Sequence, residues 1–197
     1  MYLMDEKIIK SAFTQLENNA NSDLILPIRK KLWLELGEIR KHNGKASITE
    51  GLCKRVKLAG LCVKKVLYLW ENTLPNNKSI QNLLDYVDKY LNGRISFAEL
   101  EKYKNMCSSE FEEIAYIAEF EKISLIGLAT VYVADIALYD ELLFENSDDD
   151  DNDDDLDSFT WDTSYLISLV YSDNENEDES IKKKYDFWSW YLKCILI

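Results

Sequence analysis

Apolar side chains recur along most of this chain at spacings of three and four, the period of one face of an α-helix, and polar clusters interrupt them at intervals. Ile8, Ala12, Phe13 and Leu16 share one face of a first helix expected from about Asp5 to Asn18, and the Asn-rich residues 18 to 22 end it. A second helix is expected to start near Asp23, with Pro27 in its first turn where a missing N–H does no harm. Its stripe is Ile28, Leu32, Leu36 and Ile39, and His42-Asn43-Gly44 is read as its terminator. A long third helix from about Thr49 to Glu71 stops at Leu74-Pro75. Ser79 is read as the cap of a short fourth, which runs to about Leu91 and closes in a left-handed turn at Asn92-Gly93. Ser96-Phe97-Ala98-Glu99 fits the capping box, in which Ser and Glu satisfy each other's end of a helix, and it places a start at Phe97.

The longest apolar element runs from about Ser109 to Phe144 and is read as the central helix, with a break near Lys122. Ser158 or Asp162 begins another through Leu166, Leu169 and Val170, and a last helix spans about Glu179 to Cys194. Only six Gly and two Pro occur among 197 residues, so tight hairpins have few places to form. The expectation is an all-α bundle of about seven to eight helices around a long central one, in a single domain over residues 1–197.

Charge changes this picture at two places. Glu145 to Asp157 carries nine carboxylates, Asp173 to Glu179 carries five, and neither stretch holds a Lys or Arg. Together they account for the net charge of −13, because the remaining 22 acidic groups face 23 basic ones. The first stretch is read as an acidic loop at about 145–157 and the second as a linker at about 173–179. Clustered anions focus potential and steer a basic partner, and a solvated solubilising loop is the plainer alternative. The same carboxylates repel phosphates, and the densest basic group, Lys54, Arg55, Lys57, Lys64 and Lys65, reads as a solvated face, so no nucleic-acid partner is expected.

The residues offer little catalytic chemistry. His42 is the only histidine, no phosphate-cradling glycine motif occurs, and Cys53, Cys62, Cys107 and Cys194 lack metal-ligand spacing, so no cofactor or metal is expected. Counting an EF-hand from Asp149 puts Asp154 and Thr160 where Gly and Glu are required. Free thiols suit a reducing cytoplasm, and the N-terminal MYLMDEKIIK carries acids where a signal peptide needs a basic start. Ile123 to Ala134 is read as too short to span a bilayer, and Phe187 to Ile197 as an amphipathic closing helix. Asp135 and Glu141 lie on an otherwise apolar helix, where a carboxylate needs a partner. An ion pair with Arg55 or another base is the expectation, Arg55–Asp135 being the candidate buried pair, with a polar pocket around Asp135, Tyr139 and Arg55 as the enzymatic or ligand-binding alternative.

Several stretches resemble an all-helical family of immunity proteins from bacterial polymorphic toxin systems. They are Arg55-Val56-Lys57-Leu58-Ala59, Val66-Leu67-Tyr68-Leu69-Trp70-Glu71 with the stop at Pro75, the run from Ala134 to Glu141, and Phe187-Trp188-Ser189-Trp190-Tyr191-Leu192. The resemblance covers roughly residues 25 to 193 and implies a non-enzymatic cytoplasmic antidote that binds a cognate toxin. Candidate contacts are Asp148, Asp149, Asp150, Asp151, Asp153, Asp154, Asp155, Glu175 and Glu177, facing a toxin with a basic cleft. Trp188 and Trp190 join them as candidate aromatic anchors. A structural adaptor whose acidic tract serves solubility is the remaining alternative.

Overall fold

The computed structural model describes residues 6–140, 153, 156 and 161–196. Among them are eight α-helices: α1 (Glu6–Asn18), α2 (Leu26–Glu35), α3 (Glu50–Thr73), α4 (Ser79–Leu91), α5 (Phe97–Ala115), α6 (Glu121–Tyr139), α7 (Thr163–Ser172) and α8 (Glu177–Ile195). The fold is all-α, as the periodicity predicts, and local chemistry accounts for most of the boundaries. Thr49 accepts a bond from the Leu52 N–H at the start of α3, and Ser96 and Glu99 make both halves of the capping box at α5. Asp162 caps α7 and Asn176 caps α8. Gly93, at φ 68°, closes α4 in the left-handed turn. Ser79 does not cap α4, because it lies inside the helix; Asn77 accepts from its N–H instead.

The largest departure from the periodicity lies between α2 and α3. The helix ends at Glu35, short of Ile39, and His42-Asn43-Gly44 terminates nothing. Those residues form the tip of a two-stranded antiparallel hairpin, β1 (Lys41–His42) and β2 (Lys45–Ala46), with Asn43 at φ 51° and Gly44 at φ 74°. Asn-Gly with both central residues at positive φ is the turn that matches the twist of a tight hairpin. The apolar run from Ser109 onward likewise divides earlier than Lys122. It comprises the end of α5, a 3-10 turn at Ala118–Phe120, and α6.

α6 is the central helix and packs against α3, α4, α5 and α7, while α8 lies on α7 and reaches α1. A helix apolar on every side has to be enclosed, and Ile126, Ala129, Val133, Ala134, Ala137 and Leu138 are all buried. The helical run Ala118–Tyr139 is long and apolar enough to cross a membrane by length and composition, longer than the stretch read from the sequence, and 67% of its most apolar window is buried within the fold. Close approach of α5 is set by Gly127, where an added Cβ would sit 2.6 Å from the Phe111 ring. Phe111 in turn meets Trp70 of α3 edge-on at 5.4 Å.

A second close approach fixes the start of α3. Gly37, at φ 135°, and Gly51 touch backbone to backbone, so that a Cβ on either would lie 2.9 Å from the other's main chain. Neither backbone can retreat without moving α3 or the chain entering the hairpin. Gly51→Ala is therefore expected to lower the unfolding free energy by about 2 kcal/mol or more, read from the urea midpoint. Gly60→Ala on the same helix has the opposite sign. Its new methyl meets nothing nearer than 4.0 Å, and removing a helical glycine is expected to add about 0.5–1 kcal/mol.

Candidate functional site

Two arginines from the first third of the chain lie entirely inside the protein, and each is neutralised there. Arg55 of α3 is fully buried and grips Asp140 with two bonds, Nε to Oδ1 at 2.8 Å and Nη2 to Oδ2 at 2.6 Å. It also donates to the Gly37 carbonyl at 2.8 Å and the Glu38 carbonyl at 3.4 Å. The glycine–glycine contact brings the Gly37 carbonyl within that reach. Asp140 sits just past α6 at φ 48°, a conformation in which its carboxylate turns back toward α3. Asp135 takes a base, as expected, but the candidate pair with Arg55 is corrected. Arg55 takes the acid five residues further on, where the helix has ended, and Asp135 pairs with Lys104 of α5 at 2.7 Å.

Arg29 of α2 forms the second cluster. Its Nε donates to Asp162 Oδ2 at 2.9 Å, Nη1 donates to Asp153 Oδ2 at 2.9 Å and to the Leu24 carbonyl at 2.7 Å, and Nη2 contacts both carboxylates. Its guanidinium lies 5.0 Å from the Tyr165 ring centre and 5.5 Å from that of Trp188. Burial alone would lower the pKa of Arg29, but Asp162 and Asp153 outweigh it and hold the group charged. Burial raises the Asp153 carboxyl against the opposing pull of Arg29. The other oxygen of Asp162 accepts the Ser164 and Tyr165 N–H groups, so one carboxylate serves both as helix cap and as counter-ion.

The residues proposed from sequence therefore separate. Asp153 is an interior ion-pair partner, not a surface contact. Asp148, Asp149, Asp150, Asp151, Asp154 and Asp155 lie outside the described residues, as does Glu141. Glu175 and Glu177 are exposed. Trp188 is fully buried and is no surface anchor; its Nε1 donates to Asp23 at 3.4 Å. Trp190 is half-buried, with the Lys65 ammonium 4.9 Å from its ring centre.

Asp135, Tyr139 and Arg55 do not converge. Tyr139 donates to Glu101, Lys104 lies 5.7 Å from the Tyr139 ring centre, and Arg55 faces Asp140 on the other side. Burial raises the Asp135 carboxyl while Lys104 pulls it down. Two concavities among the described residues lie elsewhere. A groove of about 840 Å³ runs between the end of α2 and the start of α3, and one of about 490 Å³ lies between Thr73 and Ser79 beside Glu110. Among the described residues no cluster of His, Cys, Asp and Glu has the makings of a metal site. All four cysteines are free, and burial pushes the Cys107 thiol up to about 11.

Arg29, Asp140 and Asp162 were not singled out as partners in the sequence, where 133 positions separate Arg29 from Asp162 and 85 separate Arg55 from Asp140. A local signal existed only for Asp162, as a helix cap. The structure also joins regions that the sequence keeps apart. Lys122, at the start of α6, pairs with Asp173, so the acidic turn between α7 and α8 lies beside the corner between α5 and α6.

A family model described as Immunity protein Imm5 matches residues 9–197. No curated protein matches the chain. The matched span contains both arginine clusters, and their removal tests what they contribute. Arg55→Met strands the Asp140 carboxylate in the interior and is expected to cost about 3–5 kcal/mol, measured by chemical denaturation. Arg55→Met combined with Asp140→Asn removes the stranded charge and is expected to recover part of that loss.

Proposed function

The chain belongs to the Imm5 family of immunity proteins, and on that footing we propose that it is a cytoplasmic antidote that binds a cognate toxin domain and neutralises it by contact, without chemistry of its own. The observation that carries the reading is the contrast between its inner and outer carboxylates. Asp140, Asp153 and Asp162 are buried against Arg55 and Arg29. A catalytic acid or base has to keep a free valence toward a substrate, and these have spent theirs on arginine. Glu175, Glu177, Asp178 and Glu179 are exposed.

Unmatched surface anions suit a protein whose task is association. They raise the encounter rate with a basic surface and disfavour acidic competitors. A toxin that acts on nucleic acid or another anionic substrate carries a cationic cleft, and carboxylates seated there would take the place of substrate phosphates. Asp148, Asp149, Asp150, Asp151, Asp154 and Asp155 belong to this reading as additional contacts, together with Glu175 and Glu177, while Asp153 stays with Arg29.

Titration of the intact chain with its cognate toxin domain is expected to give a tight complex that suppresses the toxin's activity. Affinity is expected to fall at least about tenfold from low to high ionic strength, because exposed charges are screened beyond a Debye length of about 8 Å at physiological salt. A version carrying Asp→Asn at positions 148, 149, 150, 151, 154 and 155, with Asp153 kept for Arg29, is expected to bind more weakly and with a shallower salt dependence. A complex indifferent to both salt and these substitutions would exclude an acidic interface, and failure of the intact chain to bind or protect would overturn the antidote reading.

A further inference from the structure

We propose that the corner between α5 and α6 is the anchor of the toxin interface, with Tyr116 and Ile117 inserting into an apolar recess on a basic surface of the toxin. This rests on the antidote reading and adds to it the place of strongest contact. Tyr116 follows the last residue of α5 and is 91% exposed; Ile117 beside it is 44% exposed, and Met106, back along α5, is 59% exposed. A single exposed apolar side chain is ordinary, but Tyr116 and Ile117 are adjacent at one corner, and Tyr is among the residues that most often carry binding energy when a partner covers them.

The charge around the corner identifies the occupant. Residues 105–121 contain Glu110, Glu112, Glu113, Glu119 and Glu121 and no Lys or Arg. The flanking cations are engaged elsewhere, Lys104 with Asp135 and Lys122 with Asp173. Glu110 is engaged within the fold, accepting from Asn77 and from the Ser79 hydroxyl. Glu112, Glu113, Glu119 and Glu121 are exposed. Glu112 and Glu113 stand in the last turns of α5, where the helix dipole presents its negative end, and no basic residue is present there to offset them.

Exposed apolar side chains, carboxylates at a helix C-terminus and a stretch without Lys or Arg coincide here, and such local conflicts are expected at functional sites. The Lys122–Asp173 bridge brings the turn carrying Glu175, Glu177, Asp178 and Glu179 to the same end of α6. An apolar tip set in carboxylates complements a basic protein surface and repels nucleic acid and anionic lipid. The groove between α2 and α3 lacks this bias. It also bears exposed Leu34 and Ile48, but Glu38 pairs with Arg40 and Glu50 with Lys54 along its edge.

Calorimetric titration of the same toxin domain with three variants, alongside the intact chain, tests the assignment. Tyr116→Ala with Ile117→Ser is expected to weaken binding about thirtyfold at an unchanged melting temperature, the loss typical of a central anchor. Glu112→Lys with Glu113→Lys is expected to weaken binding about tenfold or more and flatten its salt dependence, while melting at or above the temperature of the intact chain because the helix end is relieved. Leu34→Ala with Ile48→Ala is expected to bind as the intact chain does. Full affinity of both corner variants would overturn the corner and leave the antidote reading standing. Weakening by the groove variant alone would do the same. No binding by the intact chain would overturn both.

Discussion

The structure depends on two guanidinium groups being affordable in a hydrocarbon interior. A buried arginine with no counter-charge would be intolerable, and even a well-paired one contributes little net stability once desolvation is counted. What these two contribute is connection. Arg55 ties α3 to the end of α6 and to the chain entering the hairpin, through Asp140 and the Gly37 and Glu38 carbonyls. Arg29 ties α2 to the cap of α7 and to Asp153. Each satisfies its donors in one geometry, so the elements it links hold one mutual arrangement. The paired glycines belong to the same constraint, because only residues without a Cβ let the loop carbonyl approach Arg55.

Helix identity was legible where the signal is local. The capping box at Ser96 and Glu99, the start of α3 near Thr49, the closing Gly93 and the apolarity of the central helix each depend on neighbours within a turn or two, and all reappear. Asn43-Gly44 was misread because a helix terminator and a hairpin turn use the same positive-φ residues, and the two-residue strands beside it are too short to alternate visibly. The pairing of Arg55 was misassigned for a different reason. Asp135 has the helical position that invites a partner, yet the choice was made by where the helix ends and how Asp140 turns back, and periodicity does not encode that. Trp188 and Trp190, two positions apart in one aromatic cluster, differ in burial because they lie on different sides of α8.

Charge is divided between interior and exterior with a consistent logic. Inside, each carboxylate meets an arginine, a group that remains ionised and offers a rigid fork of donors. Nearer the surface most partners are lysines, half-buried at Lys104 and Asp135 and exposed at Lys122 and Asp173. Acidic residues at the α5–α6 corner and the α7–α8 turn therefore keep their field. Two of the four arginines thus serve architecture, while residues 105–121 and 173–179 contain no Lys or Arg.

Arg55 holds the chain at Asp140, and Arg29 holds it again at Asp162 and at Asp153 between them. Three points along residues 140–162 are thus fixed by buried chemistry on two arginines. Closing a longer loop across fixed ends costs only about 0.6 kcal/mol per doubling of length. An insertion between such anchors therefore carries little penalty to folding, and lengths can change over evolutionary time while the scaffold is inherited intact.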